Sequence, residues 1–223
     1  MQQFSKDSEI VIVDNSGKNY GMDNVIVNKS GNYPQGLNQG ARLATGDYLV
    51  FCNPDIIVSR DWLNQLESAL DTGYAIAGPM TNFAAGVQGA KIKFPSQVNL
   101  FDVKFLIGFC MMMTRKTYDT IGKFDEQFEF ENDDIDYSMR AVTAGLPLCV
   151  TPHCFVQHVG HQSAITDPNY YSKRCLSLYR FFKKYPEVNF TGHIGWEPKL
   201  LQSIAKQYDT KGLKSFEYAI QNR

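Results

Sequence analysis

A chain of 223 residues with a net charge of −1 and 43% hydrophobic residues has the material for one core-bearing domain, alone or with an appendage. The even charge balance excludes a broad phosphate-backbone surface, which needs a basic face, so no nucleic-acid partner is expected. Five scattered cysteines, Cys52, Cys110, Cys149, Cys154 and Cys175, offer no disulfide framework and suit a reducing compartment.

From the N-terminus, the polar MQQFSKDSE is not read as a secretory leader. No apolar run reaches about 18 residues, so no transmembrane segment is expected. EIVIVDNSG is a short β-branched run ending in turn residues, a buried strand, and NVIVN is a second. PQGLNQGARLATG predicts a helix, with Pro34 near its start and Gly46 just past its end. DYLVFCNPD predicts a strand stopped by Asn-Pro. SRDWLNQLESALDTG predicts a helix capped by Ser59, with Trp62, Leu63, Leu66 and Leu70 at helical spacing. YAIAGP is a fourth strand. This alternation predicts an α/β domain with a central, mostly parallel mixed sheet flanked by helices.

TNFAAGVQGAKIKFPSQVNLFD has no clear period and is expected to be a long loop, often a functional one. FLIGFCMMMT is a strand, its Met111–Met113 run read as core. RKTYDTIGKF is a short helix and PLCV a small strand. NYYSKRCLSLYRFFKKYP and EPKLLQSIAKQYDTKG are helices. The expected division is a catalytic domain over residues 1–165 and a helical extension packed on it over 166–223.

Acidic turns follow two strands, at Asp14 and at Asp55, where parallel sheets bind ligands. Asp14 offers hydrogen-bond acceptors to a nucleobase or ribose; Asp55 offers a hard oxygen to a divalent cation. Asp and Asn also simply make good turns. HCFVQHVGHQ brings together His153, Cys154, His158 and His161, but the spacing fits no standard zinc site. GLNQG lacks the Lys-Ser/Thr of a phosphate loop, so ATP binding is unsupported. FENDDIDYSMR crowds Glu131, Asp133, Asp134 and Asp136 at a helix start. Asn132 suits an N-cap and first-turn acids suit the helix dipole. Ile135, Met139 and Val142 would form the buried stripe, and Asp136 would pair with Arg140. Those needs do not require Asp133 and Asp134 side by side.

EIVIVDNSG, GNYPQGLNQGARLATGDYLVFCNPDIIVSRDWL, GFCMMMTRKTYDTIGKFDEQF, ENDDIDYSMRAVTAG and VQHVGHQS occur in the order seen in family-2 glycosyltransferases. The chain resembles these inverting enzymes of the GT-A fold, in particular their rhamnosyltransferase-like branch, over roughly residues 9–163. The resemblance implies a sugar transfer from a UDP-, GDP- or dTDP-linked donor to a hydroxyl of a glycan, glycolipid or glycoprotein, with Mn²⁺ or Mg²⁺. NPD stands at the DxD-like motif, so Asn53 and Asp55 would meet the donor, with Asp55 and His158 as metal ligands. Asp14, Asn15, Gly36, Asn38 and Gly108 would lie along the donor nucleotide and sugar. The family's E-D-x-D appears as D-D-I-D, which makes Asp134 the general base, with Asp133 its neighbour.

The pattern departs from the family at the start. Members have a further strand and helix before the run matching EIVIVDNSG, and a helix between the runs matching VDNSG and NVIVN. A reduced base pocket is therefore expected. An inactive nucleotide-sugar or glycan-binding module is the alternative that this favours. A nucleotidyltransferase is a second, although VDNSGKNYG poorly matches the Gly-rich basic loop it needs. The expected location is cytoplasmic, peripheral to a membrane or within a larger multidomain enzyme.

Overall fold

Two strands open the chain, Ile12–Asp14 (β1) and Val25–Val27 (β2), and they pair in parallel as a two-stranded sheet of their own. The computed structural model describes residues 8–17, 25–84, 86–89, 99–160, 167–187 and 198–221. The helix sought between VDNSG and NVIVN therefore falls largely on 18–24, outside the described residues. Helix α1, Tyr33–Leu43, starts where expected: the Asn32 side chain accepts the Gln35 amide, and Pro34 occupies the first turn, where no N–H is needed.

Beyond α1 the chain lays down β3 (Tyr48–Cys52), β4 (Ile56–Val58), α2 (Trp62–Asp71) and β5 (Ile76–Met80). A single 3-10 turn at Gly86–Gln88 precedes β6 (Phe101–Val103) and β7 (Cys110–Thr114). Then come α3 (Arg115–Ile121), α4 (Asp133–Thr143) and the eleven-residue β8 (Leu148–His158). Strands β3 to β8 form one six-stranded sheet in the order β3-β7-β5-β8-β4, with β6 also on β8.

That sheet is mixed, but within it only β5 and β8 run parallel; β3/β7, β5/β7, β6/β8 and β4/β8 are antiparallel. The expectation of a mostly parallel sheet is corrected here. A parallel return needs a crossover, usually helical, and among the described residues between β5 and β7 only the 3-10 turn is helical. Strand β4, directly after the Asn-Pro-Asp turn, was not among the expected strands, and PLCV is the start of a long one.

The β-pleat separates two cores. Met111 and Met113 face one side with Leu49, Phe51, Ile76, Leu148 and Val150, against Tyr118, Phe124, Tyr137 and Ala141. Cys110 and Met112 face the other with Ala77, Cys149 and Val156, against Trp62, Leu66, Ala69 and Leu70 of α2. The methionine run is thus core on both faces. Helix α2 is capped not by Ser59 but at Asp61, which takes a left-handed φ of 59° without a side-chain cap bond; the Ser59 hydroxyl donates instead to the Phe155 carbonyl.

The chain divides into two compact units, one of residues 1–126 and 133–160, the other of 127–132 and 161–223. The second contains α5 (Tyr170–Lys184), α6 (Pro198–Gln207) and α7 (Lys214–Gln221). Inside it Arg174 bridges to Glu131 at 2.8 Å, Ser177 donates to the Glu131 carbonyl, and Phe182 meets Phe216 edge-on. No helix among the described residues is long and apolar enough to cross a membrane.

Candidate active site

The β4/β8 register places Ile56 opposite His158. Asp55 immediately precedes β4 and His158 ends β8, so the pairing itself sets carboxylate beside imidazole. Asp55 Oδ1 lies 3.3 Å from His158 Nε2, and its Oδ2 accepts the Gly160 amide at 2.9 Å. Asn53, two residues before Asp55, sends Nδ2 to within 3.3 Å of the same Nε2. Its amide donates to the Phe109 carbonyl at 2.9 Å, which anchors the Asn-Pro-Asp turn to the strand beside it.

His158 is held on every side. Nδ1 lies 3.0 Å from the Phe83 carbonyl, and because a carbonyl only accepts, Nδ1 carries the hydrogen. In the neutral ring Nε2 therefore presents its lone pair toward Asp55 and Asn53. The ring stacks on Phe109 with centroids 5.2 Å apart, and the Asn82 side chain clamps the His158 backbone through both its amide and its carbonyl. A carbonyl that fixes the outer nitrogen is the usual support of a metal-binding imidazole. One carboxylate oxygen and one imidazole nitrogen suit a divalent cation whose other ligands come from a diphosphate and water. His161 is outside the described residues, and among these no group of three or more His, Cys, Asp or Glu is placed to hold a metal by itself.

The acidic helix start forms the other half of the site. Asp134 Oδ2 accepts the Gly108 amide at 2.7 Å and Oδ1 accepts the Ile135 amide at 2.8 Å, so its carboxylate has a fixed direction. Glycine at 108 permits this approach: a Cβ there would stand 3.0 Å from the Asp134 Cβ. Asp133 is 7% exposed, and burial first, then the charge of Asp134, raises its carboxyl well above the ordinary range. Asp136 is fully buried and pairs with Arg140 at 2.9 Å. The buried face of α4 is thus Asp133, Ile135, Asp136, Tyr137, Ser138 and Ala141, whereas Val142 is 42% exposed. Of the stripe expected from Ile135, Met139 and Val142, Ile135 is buried and Val142 is not, and Tyr137, stacked on Phe124, takes a central place on the buried face. Asn132 has a φ of 66°, away from the extended conformation of an ordinary N-cap.

Tyr33 meets the Asn-Pro-Asp turn, and nothing in the sequence singled it out; beside a proline at a helix start it reads as an ordinary packing aromatic. Its hydroxyl donates to Asn53 Oδ1 at 2.7 Å. Burial first, then the nearby acids led by Asp133, raises its phenol well above its usual range.

The remaining expected residues divide. Asp14 Oδ1 accepts the Ser16 amide, but Oδ2 is buried with no partner, an acceptor left open at the end of β1. Asn15 accepts from Asn28 Nδ2 at 2.7 Å and lies against Gly36, where a Cβ would stand 2.5 Å from its Oδ1. Gly36 thus makes room for the Asn15 side chain. The Asn38 amide is engaged by the Phe124 backbone on both sides and by Glu126, so it pins the loop after α3 to α1. A cavity of 340 Å³ beside it is lined by Gln35, Arg42, Arg115, Tyr118 and Lys123 among others, and Asp55, Asp134 and His158 do not border it.

The model of the family described as glycosyl transferase family 2 matches residues 1–122. That range holds Asp14, Asn53, Asp55 and Gly108 and ends before the acids of α4. The O-antigen biosynthesis protein RfbC of Myxococcus xanthus is 25% identical over 159 residues, covering 60% of this chain and 12% of the relative. The chain thus spans only a small part of that relative's length. Among solved structures, GalNAc-T7 with UDP, GalNAc and Mn²⁺ superposes with a TM-score of 0.54 at 13% identity, over 88% of this chain and 43% of its own. The mannosyltransferase PcManGT of Pyrobaculum calidifontis, with GDP-Man and Mn²⁺, gives 0.52 at 15%, over 88% and 54%. At such identities the likeness speaks for the fold, and it bears out the expected GT-A architecture.

Proposed function

Because the chain belongs to glycosyl transferase family 2, we propose that it moves a hexosyl or deoxyhexosyl group from a nucleoside-diphosphate sugar to a hydroxyl of a glycan, glycolipid or glycoprotein, with inversion. The observation that carries this reading is the convergence of Asp55 and His158 at 3.3 Å, with the imidazole oriented by the Phe83 carbonyl. These two residues would hold Mn²⁺ or Mg²⁺ together with the donor diphosphate. A divalent cation there neutralises charge on the departing diphosphate. Structures of the same fold that contain Mn²⁺ with UDP or GDP-Man support the metal and the donor class.

Asp134 is the base in this proposal. It is half-buried, and its two amide bonds aim the carboxylate. It takes the acceptor hydroxyl's proton as that oxygen attacks the anomeric carbon from the face opposite the diphosphate. Asp133 stands beside it, more buried, with its carboxyl raised by burial and then by the charge of Asp134. Tyr33 holds Asn53 in place below the donor, and the open oxygen of Asp14 is offered to a donor group of the nucleotide. Residues 1–165 form the transferase and 166–223 its helical extension. Five free thiols support a reducing, cytoplasmic setting.

The test is a panel of UDP-, GDP- and dTDP-sugars, with and without Mn²⁺, read by melting temperature and by nucleoside diphosphate released with an acceptor present. A donor at 100 times its Kd stabilises the fold by about 2.7 kcal/mol. Metal-dependent stabilisation by one donor class, lost in Asp55→Ala with the fold intact, is the expected result. A panel in which no nucleotide sugar raises the melting temperature in either condition overturns the proposal.

A further inference from the structure

Two thiols lie directly behind the Asn-Pro-Asp turn. Cys52 ends β3 and Cys110 begins β7, and the antiparallel register sets them opposite one another. The neighbouring pair, Asn53 and Phe109, is the hydrogen-bonded one, its amide-to-carbonyl bond measuring 2.9 Å. Pairs alternate along an antiparallel ladder, so Cys52 and Cys110 form the narrow, non-hydrogen-bonded pair, with Cα atoms about 4.5 Å apart. That lies within the span of about 4.4–6.8 Å that a disulfide bridges. The sulfurs already stand 3.8 Å apart. Cys52 is half-buried, whereas Cys110 is fully buried.

We propose that Cys52 and Cys110 form a reversible cross-strand disulfide by exchange with a low-molecular-weight disulfide, and that closing it shifts the Phe109 ring beneath His158. The Cys52 thiolate attacks one sulfur of the small disulfide and expels a small thiolate, leaving a mixed disulfide on Cys52. Cys110 then attacks the Cys52 sulfur and expels the second thiolate. Each departing thiolate takes up a proton given by a cysteine; two protein thiols are oxidised and one small disulfide is reduced. The order follows from access, since the hydrogen bond with Cys52 and burial both hold the Cys110 thiol well above its usual range.

Closure draws the sulfurs from 3.8 Å to a bond of about 2.05 Å. The bond lies one residue from Asn53 on one strand and one residue from Phe109 on the other. Phe109 carries the imidazole on its ring face. Movement at the paired strand ends therefore reaches the metal-facing side of the site through a single side chain. Disulfides formed in reducing compartments are characteristically transient and regulatory, which fits a pair that is open at rest.

The experiment uses the full chain with oxidised glutathione as the probe. Free thiols are then alkylated and peptides mapped by mass spectrometry, while His158 ring protons are followed by NMR, assigned with His158→Gln. The expected result is a linkage between the Cys52 and Cys110 peptides that dithiothreitol reverses, with His158 signals that move on oxidation and return on reduction. Cys110→Ala should stop at the glutathione adduct on Cys52. A parent chain in which Cys52 remains free, or ends as the glutathione adduct, overturns the pairing. A linkage that leaves the His158 signals in place overturns the coupling to the site. Neither readout depends on sugar transfer, so failure here is distinct from failure of the proposed function.

Discussion

The amide of Gly108 and the carboxylate of Asp134 meet at 2.7 Å, and only a residue without a side chain allows it. In Gly108→Ala the new Cβ would press on the Asp134 Cβ at 3.0 Å. Asp134 lies in the first turn of α4, whose backbone is held, so either its carboxylate turns or the turn at Gly108 gives way, and both break the 2.7 Å bond. Overpacking of this kind costs about 1–3 kcal/mol. The expected outcome is a lower melting temperature together with a loss of transfer larger than the loss of donor affinity. Parental turnover in the folded variant would show that the direction of Asp134 is immaterial.

The three acids of α4 should separate. Asp134→Asn keeps shape but cannot accept a proton, so transfer should fall about 10²–10⁴-fold with donor affinity nearly kept. Asp133→Asn should be milder. Asp136→Ala strips a fully buried carboxylate from Arg140, which is 24% exposed. Loss of one partner of a buried pair costs about 3–5 kcal/mol, and partial exposure of Arg140 puts this case at or below the lower figure. Denaturant midpoints and single-turnover transfer, measured on all three, distinguish a catalytic loss from a folding one.

Asp133 also predicts a pH dependence of stability. Its folded-state pKa is raised, chiefly by burial and then by Asp134, so the native state binds the proton more tightly than the unfolded chain. Its contribution is full below the ordinary carboxylate pKa and is lost as pH rises through the raised value. Asp133→Asn carries no such charge. Its melting temperature relative to the parent should therefore increase from acid to alkaline pH. A difference that is flat with pH, or that grows toward acid, contradicts the buried, proton-retaining carboxyl.

Tyr33→Phe removes one hydroxyl and leaves Asn53 Oδ1 without its 2.7 Å donor. A hydrogen bond of this kind is worth about 0.5–1.5 kcal/mol net, which corresponds to a several-fold change in an equilibrium constant. Mn²⁺-dependent binding of a nucleoside diphosphate should weaken by that amount in calorimetry, while Asp55→Ala should lose the metal dependence altogether. Equal affinity in Tyr33→Phe and the parent would separate Tyr33 from the donor site.

Much of this architecture was legible in the chain. Pro34, the β-branched runs and the spacing of Trp62, Leu66 and Leu70 located their elements, because each reflects a local rule. What escaped was tertiary. The direction of β7 depends on what connects it to β5, which no period encodes. The buried face of α4 is set by Tyr137 against Phe124, not by the apolar residues alone. At the site, Asp55 and His158 stand out as chemistry at strand ends. Tyr33, Asn82 and Phe109 do not, since an aromatic or an amide shows its role only through the partner it meets in space. Asn38 is a similar case: only its partners in space show that this amide ties loop to helix.

Strand β8 works as a ruler. It runs from Leu148, beside β5 and β6, to His158, beside β4; its register against β5 shifts between Thr151 and Phe155, and it is regular again from Phe155 onward. Successive residues of a regular strand point to opposite faces, so deleting or adding one residue where that regular run begins would turn every later side chain over. His158 would leave Asp55 and Val156 would leave the core behind α2 in the same event. Exposed positions of that run, such as Phe155, can therefore change one at a time, but a single change in count would strike the candidate site and the core together. Descendants of this sequence should keep the number of residues there more strictly than the letters at its exposed positions.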